Sequence, residues 1–312
     1  MVDTMNEDEL LARTAAEIAG KCQGDTHDSC WKALTDTGFS ALRDVGDGGD
    51  PMATVTQTAL VVTELSKVVC GAPLIGSLLA AEALRLADAE VDEPATVVLG
   101  SGLGSLGGSV GWDTASLTHA VTLDNAELAL VKLGDPVEAG DFTRGVAERG
   151  DLVRGLGAGL RESQLRHWQD FARLLVTADL LGAAEGLFTQ AVEYAKQRVQ
   201  FGRAIGSFQA VQHILARAFT ELEAIRSTLA HAAHAIDTGE DPHTAAAVAK
   251  AYASEAAVSV VEASIQVFGG VAITWEFPAH LHLRRVVADA ALFGTADDLY
   301  GLLHDELEGA GR

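Results

Sequence analysis

The stretch Arg198-Val199-Gln200-Phe201-Gly202-Arg203-Ala204-Ile205-Gly206-Ser207-Phe208-Gln209 joins two long amphipathic helical patterns. It packs Arg, Gln and Phe more densely than any other segment of the chain. Ser207 is expected to cap the helix that follows, its hydroxyl accepting an orphan backbone N–H. Arg198 should lie near the C-terminal end of the preceding helix, where a cation complements the helix dipole. Two readings stand here. A cation, amide side chains and an exposed ring suit a large anionic ligand, and the same residues also make an ordinary loop between two helices of a bundle.

Upstream of this hinge, Leu165, Trp168, Phe171, Leu175, Ala178, Leu181, Phe188, Val192, Ala195 and Val199 form one stripe. The spacing predicts a single helix from near Glu162 to Arg198, over ~50 Å long at ~1.5 Å per residue. Downstream, Phe208, Val211, Leu215, Ala218, Leu222, Ile225, Leu229 and Ala232 predict a second helix. A third should run from near Pro242 to Phe268 with Gly269-Gly270 as its C-cap, a fourth from Pro278 to about Leu292, and a fifth from Thr295 to Glu308. Stripes of this length pack as an antiparallel bundle.

The earlier chain divides in two. Residues 1–93 read as helices, with apolar repeats at Leu10, Leu11, Ala15, Ile18 and Ala19, then around Trp31, from Thr56 to Val69, and from Pro73 to Leu86. Residues 94–162 hold short β-type runs at Thr96–Leu99, Ala120–Leu123 and Glu127–Leu133. The expected fold is α+β and mostly α: an N-terminal helical domain (1–93), a reduced β domain (94–162) and a C-terminal four-helix bundle (163–312).

A formal charge of −22 on 312 residues argues against nucleic acid and anionic membrane surfaces as partners, while leaving room for a local basic pocket. The acidic N-terminus does not resemble a signal peptide, and no apolar run is read as long enough to span a bilayer, so a cytoplasmic protein is expected. Cys22, Cys30 and Cys70 are odd in number and follow no metal-ligand spacing; they read as small buried hydrophobes in a reducing compartment.

Other constellations lack what their chemistry requires. Gly102-Leu103-Gly104-Ser105-Leu106-Gly107 matches a dinucleotide fingerprint, but no helix start follows it, so a flexible glycine-rich β-connection is expected. His231 and His234 lie one helical turn apart without any Glu-x-x-His motif, and His280 and His282 point to opposite sides of a helix. No metal site is expected. Gln266-Val267-Phe268-Gly269-Gly270 repeats the hinge's chemistry, with an amide, a ring and two glycines that let a ligand approach the backbone.

Taken together, these two segments resemble the acyl-CoA dehydrogenase family. Arg198-x-Gln200-Phe201-Gly202-x-x-Ile205-x-x-Phe208-Gln209 is similar to its R-x-x-F-G-x-x-I-x-x-x-Q motif, and Gln266 to Gly270 is similar to its Q-x-x-G-G motif. Arg284 through Thr295 resembles the segment that ends the fold. The resemblance implies an FAD enzyme that oxidises an acyl-CoA to the trans-2-enoyl-CoA, a glutamate taking the α-proton while a hydride leaves the β-carbon. It also implies that Arg198, Gln200, Phe201, Gln209, Gln266, Gly269 and Gly270 line the adenosine and pyrophosphate half of a flavin held mainly by a neighbouring subunit, with Thr295 touching the same cofactor.

The departures from the family pattern bear on function. The residue before Gly294-Thr295, where the base most often stands, is Phe293; the alternative position on the first bundle helix falls near Ala172. Neither side chain accepts a proton. The Thr-Glu-Pro…Gly-Ser-Asp stretch of the β domain is missing as well. The chain therefore resembles the small non-catalytic subunit of heteromeric α2β2 sterol side-chain acyl-CoA dehydrogenases, sharing FAD with a full-length homologue that supplies the glutamate. Two alternatives remain: a scaffold of the same fold that binds acyl-CoA or protein without flavin, and a homo-oligomeric enzyme whose base is Glu276 or Asp289.

Overall fold

The computed structural model describes residues 6–24, 27–46, 49–100, 102–157 and 159–310. Four helices come first: α1 (Glu7–Cys22), α2 (His27–Asp36), α3 (Val55–Ser66) and α4 (Leu74–Ala87). Glu7, Asp8 and Glu9 fill the first turn of α1, where carboxylates meet the positive end of the helix dipole. A reciprocal capping box starts α3. Thr54 Oγ1 accepts the Gln57 N–H at 3.1 Å, and Gln57 Oε1 accepts the Thr54 N–H at 3.1 Å. The helix expected over Thr56–Val69 stops at Ser66, because Val69 turns left-handed at φ 46°.

Five strands follow: β1 (Ala95–Leu99), β2 (Val110–Trp112), β3 (His119–Asp124), β4 (Glu127–Pro136) and β5 (Val146–Gly155). They close a barrel in the order β1–β2–β5–β4–β3, with β1 parallel to β3 and the other pairs antiparallel. Every residue of β1 is buried. The sequence runs anticipated β1, β3 and β4. They did not anticipate β2, which is three residues long, or β5, whose Glu148-Arg149-Gly150-Asp151 core is polar. The glycine-rich connection between β1 and β2 is tied down: Gly100 N–H donates to the Ser105 carbonyl at 3.0 Å and Gly107 N–H to the Val98 carbonyl at 2.9 Å. It was expected to be flexible.

The bundle comprises α5 (Glu162–Gln197), the two-residue strands β6 (Val199–Gln200) and β7 (Arg203–Ala204), α6 (Gln209–Thr238), α7 (Pro242–Phe268), α8 (Ala279–Ala291) and α9 (Ala296–Ala310). Ser207 does not cap α6. It closes a 3-10 turn, its Oγ donating to the Ala204 carbonyl at 2.7 Å, and Phe208 takes the cap position. Both ends of α7 fall where expected, with Gly269 (φ 64°) as its C-cap.

One expectation about apolar length is corrected. The segment Pro242–Ile273 is long and apolar enough to cross a membrane by composition. In the fold that apolar surface is used internally, because α7 packs against α5, α6, α8 and α9.

Helix α5 is the centre of the bundle, touching α3, α6, α7 and α8. It is buried nearly all round, with Trp168 and Phe171 fully enclosed. Two glycines let α3 lie directly on it. A Cβ at Gly182 would come within 2.2 Å of the Thr63 carbonyl oxygen, and one at Gly186 within 1.9 Å of the Lys67 carbonyl oxygen. Alanine has the better helix propensity, yet Gly186→Ala should destabilise the chain by about 1–3 kcal/mol through this backbone clash. Urea midpoints of the two proteins check this, and an unchanged or raised midpoint contradicts it.

Candidate functional site

The hinge folds into a tight hairpin in which Val199 pairs with Ala204 and Gln200 with Arg203. Its two turn residues, Phe201 (φ 55°) and Gly202 (φ 79°), are both left-handed, the geometry of a primed hairpin turn. Glycine adopts it freely, whereas phenylalanine does so against its preference. The Ile205 N–H donates to the Arg198 carbonyl at 2.8 Å and ties the hairpin to the end of α5. Phe201 is 93% exposed. Its ring meets Phe208 edge-on at 6.2 Å, and the Arg203 guanidinium lies 4.0 Å above the Phe208 ring. Arg203 was not singled out from sequence; its place beside the motif residue Phe208 was the available signal.

The C-terminal end of α7 reaches the same end of the bundle, since α5, α6 and α7 run antiparallel in turn. Tyr194 of α5 packs on Phe268 of α7 with ring centroids 5.1 Å apart. The structure thus brings Arg198, Gln200, Phe201 and Gln209 to the same bundle end as Gln266, Gly269 and Gly270. The side chains of Arg198, Gln209 and Gln266 are exposed and make no hydrogen bond or ion pair with the described residues. A Cβ built at Gly269 or Gly270 meets nothing within 4 Å. An unpaired cation, surface amides, an uncovered ring and open backbone fit a dinucleotide laid across this end. They fit one side of it only, because no described residue covers Phe201.

Thr295 stands apart from this group. Its N–H and Oγ1–H both donate to Asp298 Oδ2, at 3.0 and 2.7 Å, and its Oγ1 accepts the Asp298 N–H at 3.3 Å, so its side chain serves as the N-cap of α9. The neighbouring Gly294 carbonyl accepts from Lys250 Nζ at 3.2 Å, and Lys250 lies ~27 Å along α7 from Phe268 at ~1.5 Å per residue.

Phe293, which the resemblance sets at the family's usual base position, is sealed. The residue is 2% exposed and left-handed at φ 56°. Its N–H donates to the Leu103 carbonyl at 3.1 Å, and its carbonyl accepts from Arg173 Nε at 3.3 Å. The ring is clasped edge-on by Trp112 at 6.4 Å and Trp168 at 5.8 Å. The glycine-rich connection therefore meets the backbone of Phe293, through the Leu103 carbonyl. Ala172 is fully buried beside Arg173. Of the alternative bases, Glu276 is exposed and Asp289 is buried in an ion pair with Arg144.

That ion pair belongs to a network between the barrel and the bundle. Arg144 pairs with Asp179 of α5 and Asp289 of α8, and Arg285 pairs with Asp141 at 3.0 Å and Asp179 at 3.3 Å. Burial would raise the Asp179 carboxyl, but the Arg144 and Arg285 guanidiniums outweigh it and hold it well below the usual carboxylate range. Burial pushes Asp289 well above that range, and Asp179 beside it adds to the effect. One turn before Arg285 on α8, His282 hydrogen-bonds the Ala183 carbonyl through Nδ1 at 2.7 Å. Burial, reinforced by Arg285, pushes its pKa down to about 4. His280, on another face of α8, stacks on Trp275 at 4.6 Å. His231 and His234 are exposed on α6.

The cysteines behave differently from their sequence reading. Cys22 and Cys30 are buried as expected, but Cys70 is half-buried, and the three sulfurs lie within 4.8 Å of one another. Spacing gave no sign of this, because Cys70 arrives on the turn between α3 and α4, far along the chain from the other two.

A helical head, a closed barrel and an antiparallel bundle, in that order, define the acyl-CoA dehydrogenase fold. The Tcur3481-Tcur3483 steroid ACAD superposes with a TM-score of 0.82 over 98% of this chain and 99% of its own, at 24% identity. The ChsE4-ChsE5 complex from Mycobacterium tuberculosis gives 0.80 over 99% of each chain, at 21% identity. These likenesses are of fold. Residues 164–306 match the family model for the acyl-CoA dehydrogenase C-terminal domain. In sequence, the acyl-CoA dehydrogenase IpdE2 of Mycobacterium tuberculosis is 33% identical over 96% of this chain and 97% of its own length. The chain belongs to the acyl-CoA dehydrogenase family of FAD-binding oxidoreductases.

The sealed ring and the displayed ring should respond oppositely to truncation. Phe293→Ala should cost about 3–5 kcal/mol, and Phe201→Ala under about 0.5 kcal/mol, both read from urea unfolding of the isolated chain. A large loss at Phe201 would mean that its packing is internal. His282 gives a pH signature. Its folded pKa of about 4 lies below the unfolded 6.5, so the unfolded chain binds the extra proton between those values. Stability should therefore be fully present above pH 6.5 and fall by about 3 kcal/mol as pH drops towards 4. Unfolding of His282→Asn across that window should show a flatter slope than the parent.

Proposed function

We propose that this chain is the non-catalytic subunit of a heteromeric, flavin-dependent acyl-CoA dehydrogenase, paired in an α2β2 assembly with a full-length homologue that supplies the catalytic glutamate. The observation that carries this is Phe293: a clasped, buried phenyl ring stands where the base would stand, while the hairpin end keeps an open set of ligand-type side chains. Family members bind FAD, which when bound supplies the hydride acceptor for α,β-dehydrogenation of the thioester. In this chain Arg198 neutralises pyrophosphate charge, and Gln200, Gln209 and Gln266 offer amide contacts to phosphate and adenosine. Phe201 presents a flat face, and Gly269 and Gly270 let the ligand approach the backbone. Thr295, held by Asp298, is left out of this cradle.

Two of the similar solved structures are named for a pair of polypeptides, which supports a paired assembly. The steroid label on one of them supports a steroid-derived CoA ester as substrate. The absence of a carboxylate at Phe293 and Ala172 fits a division of labour in which this chain contributes cofactor contacts and interface, and the partner contributes the acyl pocket and base. The cytoplasm is the compartment that such a reaction and three thiols suit.

Expressed alone, the chain should be colourless and inactive. Co-expressed with a full-length homologue, it should yield a yellow complex with a single flavin per pair of unlike subunits, and a yellow, active homomer overturns the proposal. Within the complex, Arg198→Ala should weaken FAD retention by about 10- to 100-fold, the worth of a charge-assisted contact. Flavin release on dilution, followed by fluorescence, measures it. Unchanged retention would favour a scaffold of the same fold that has lost flavin.

A further inference from the structure

All three cysteines of the chain converge on one point. Cys22 is the last residue of α1, Cys30 lies in the first turn of α2, and Cys70 sits on the turn between α3 and α4. Their sulfurs lie within 4.8 Å of one another and no disulfide joins them. Separate local devices bring the third sulfur in. Val69, a β-branched residue held left-handed at φ 46°, ends α3 with its N–H on the Ser66 carbonyl at 2.9 Å and turns the chain towards α2. Gly71 follows, where a Cβ would strike His27 Cε1 at 2.6 Å and the Thr143 carbonyl oxygen at 2.8 Å. His27 Nδ1 hydrogen-bonds the Gly71 carbonyl at 2.6 Å, pinning the turn from outside.

The Arg285 guanidinium donates from Nη2 to the Cys70 carbonyl at 2.9 Å, placing a positive charge beside the cluster. Cys30 Sγ lies 3.6 Å from the Cys22 carbonyl oxygen. Cys70 lines a small cavity of mixed character, with Leu34, Leu65 and Leu74 on one side and Asp113, Arg144 and Arg285 on the other, and is itself half-buried.

We propose that Cys22, Cys30 and Cys70 form a binding site for one soft d10 cation, zinc(II) or copper(I). Three thiolates around such an ion at about 2.3 Å place their sulfurs just under about 4 Å apart, a contraction of less than about 1 Å from the present spread. Binding breaks three S–H bonds, forms three metal–sulfur bonds and releases three protons to solvent. A disulfide would use two of the sulfurs and strand the third, whereas a trigonal centre uses all three. The ion fastens α1 and α2 to the α3–α4 turn, far from the hairpin, and the site does not depend on the flavin reading.

The test uses the full chain, reduced and handled without oxygen. Zinc(II) is titrated against a chromophoric chelator, and copper(I) against a copper(I)-selective one. One equivalent of either ion should bind, protect all three thiols from iodoacetamide by intact mass, and raise Tm; the arm that binds identifies the ion. Cobalt(II) in place of zinc should show a thiolate-to-metal charge-transfer band. Cys70→Ser, at the most exposed of the three positions, should weaken binding by more than the ~10–100-fold typical of a supporting residue. Protection in the parent chain needs no variant, so a misfolded Cys30→Ser does not blunt the test. Thiols that react equally with and without both ions overturn the proposal. So does a disulfide formed by hydrogen peroxide at the same rate with and without saturating metal, which would make the cluster a redox pair.

Discussion

Two guanidiniums buried between the barrel and the bundle fix how the parts of this chain meet. Arg144 comes from the segment leading into β5 and Arg285 from α8, and both are almost fully enclosed. Around them stand Asp113 and Asp141 from the barrel side, and Asp179 and Asp289 from α5 and α8. Four carboxylates against two cations would leave an excess of negative charge out of water, which is strongly unfavourable. The molecule avoids it by splitting the carboxyls. Asp179, between both arginines, stays ionised, while burial drives Asp113 and Asp289 towards the protonated form. Such a network adds little net stability over an apolar core. What it supplies is position, because each arginine joins the barrel side to bundle helices, Arg144 reaching α5 and α8 and Arg285 reaching Asp141 and α5.

From that junction the geometry of both ends of the bundle follows. Asp289 anchors the last turns of α8, and α8 delivers Phe293 into the clasp of Trp112 and Trp168. Trp112 is held in turn under the Arg144 guanidinium at 4.7 Å. Lys250, buried in α7, ties the same corner by donating to the Ala290 and Gly294 carbonyls, both at 3.2 Å. Burial lowers its pKa to about 8, so near neutral pH it is still largely protonated and those carbonyls remain satisfied. Polar order therefore surrounds an apolar plug. The opposite end of the bundle has the reverse character, with cations, amides and a ring displayed at the surface.

The long helices were legible because their stripes persist over many turns and their ends carry strong signals: Pro242 starts α7, and Gly269 stops it. Strand β2 was hidden by its brevity, and β5 by charged residues at positions that face solvent. The cap of α6 was misplaced by a single residue, since the Ser207 hydroxyl donates back to the Ala204 carbonyl and closes a 3-10 turn ahead of the helix. Within the candidate site, Phe293 and Ala172 could be placed by motif, but Trp112 and Trp168 could not, because each reaches the ring through the tertiary fold. The cysteine cluster was equally invisible, being assembled by a left-handed valine and a glycine that only the packing explains.

Phe201 shows most directly what the hairpin end is built to do. A two-residue primed turn is made best by Asn, Asp or Gly, and a phenylalanine held left-handed costs roughly 1–2 kcal/mol in backbone terms. The turn gains little from that ring, which is 93% exposed and, among the described residues, meets Phe208 edge-on. Covering an aromatic side chain from water is worth about 1.5–3 kcal/mol, enough to offset the strain. In the isolated chain that gain is not collected. Under the proposed pairing it is collected when a neighbour and its cofactor close over the hairpin, so the strain in the free chain and the contact in the assembly have one cause. A residue chosen only for folding would not be phenylalanine, whereas a residue chosen to present a flat apolar face beyond the chain's own surface would be.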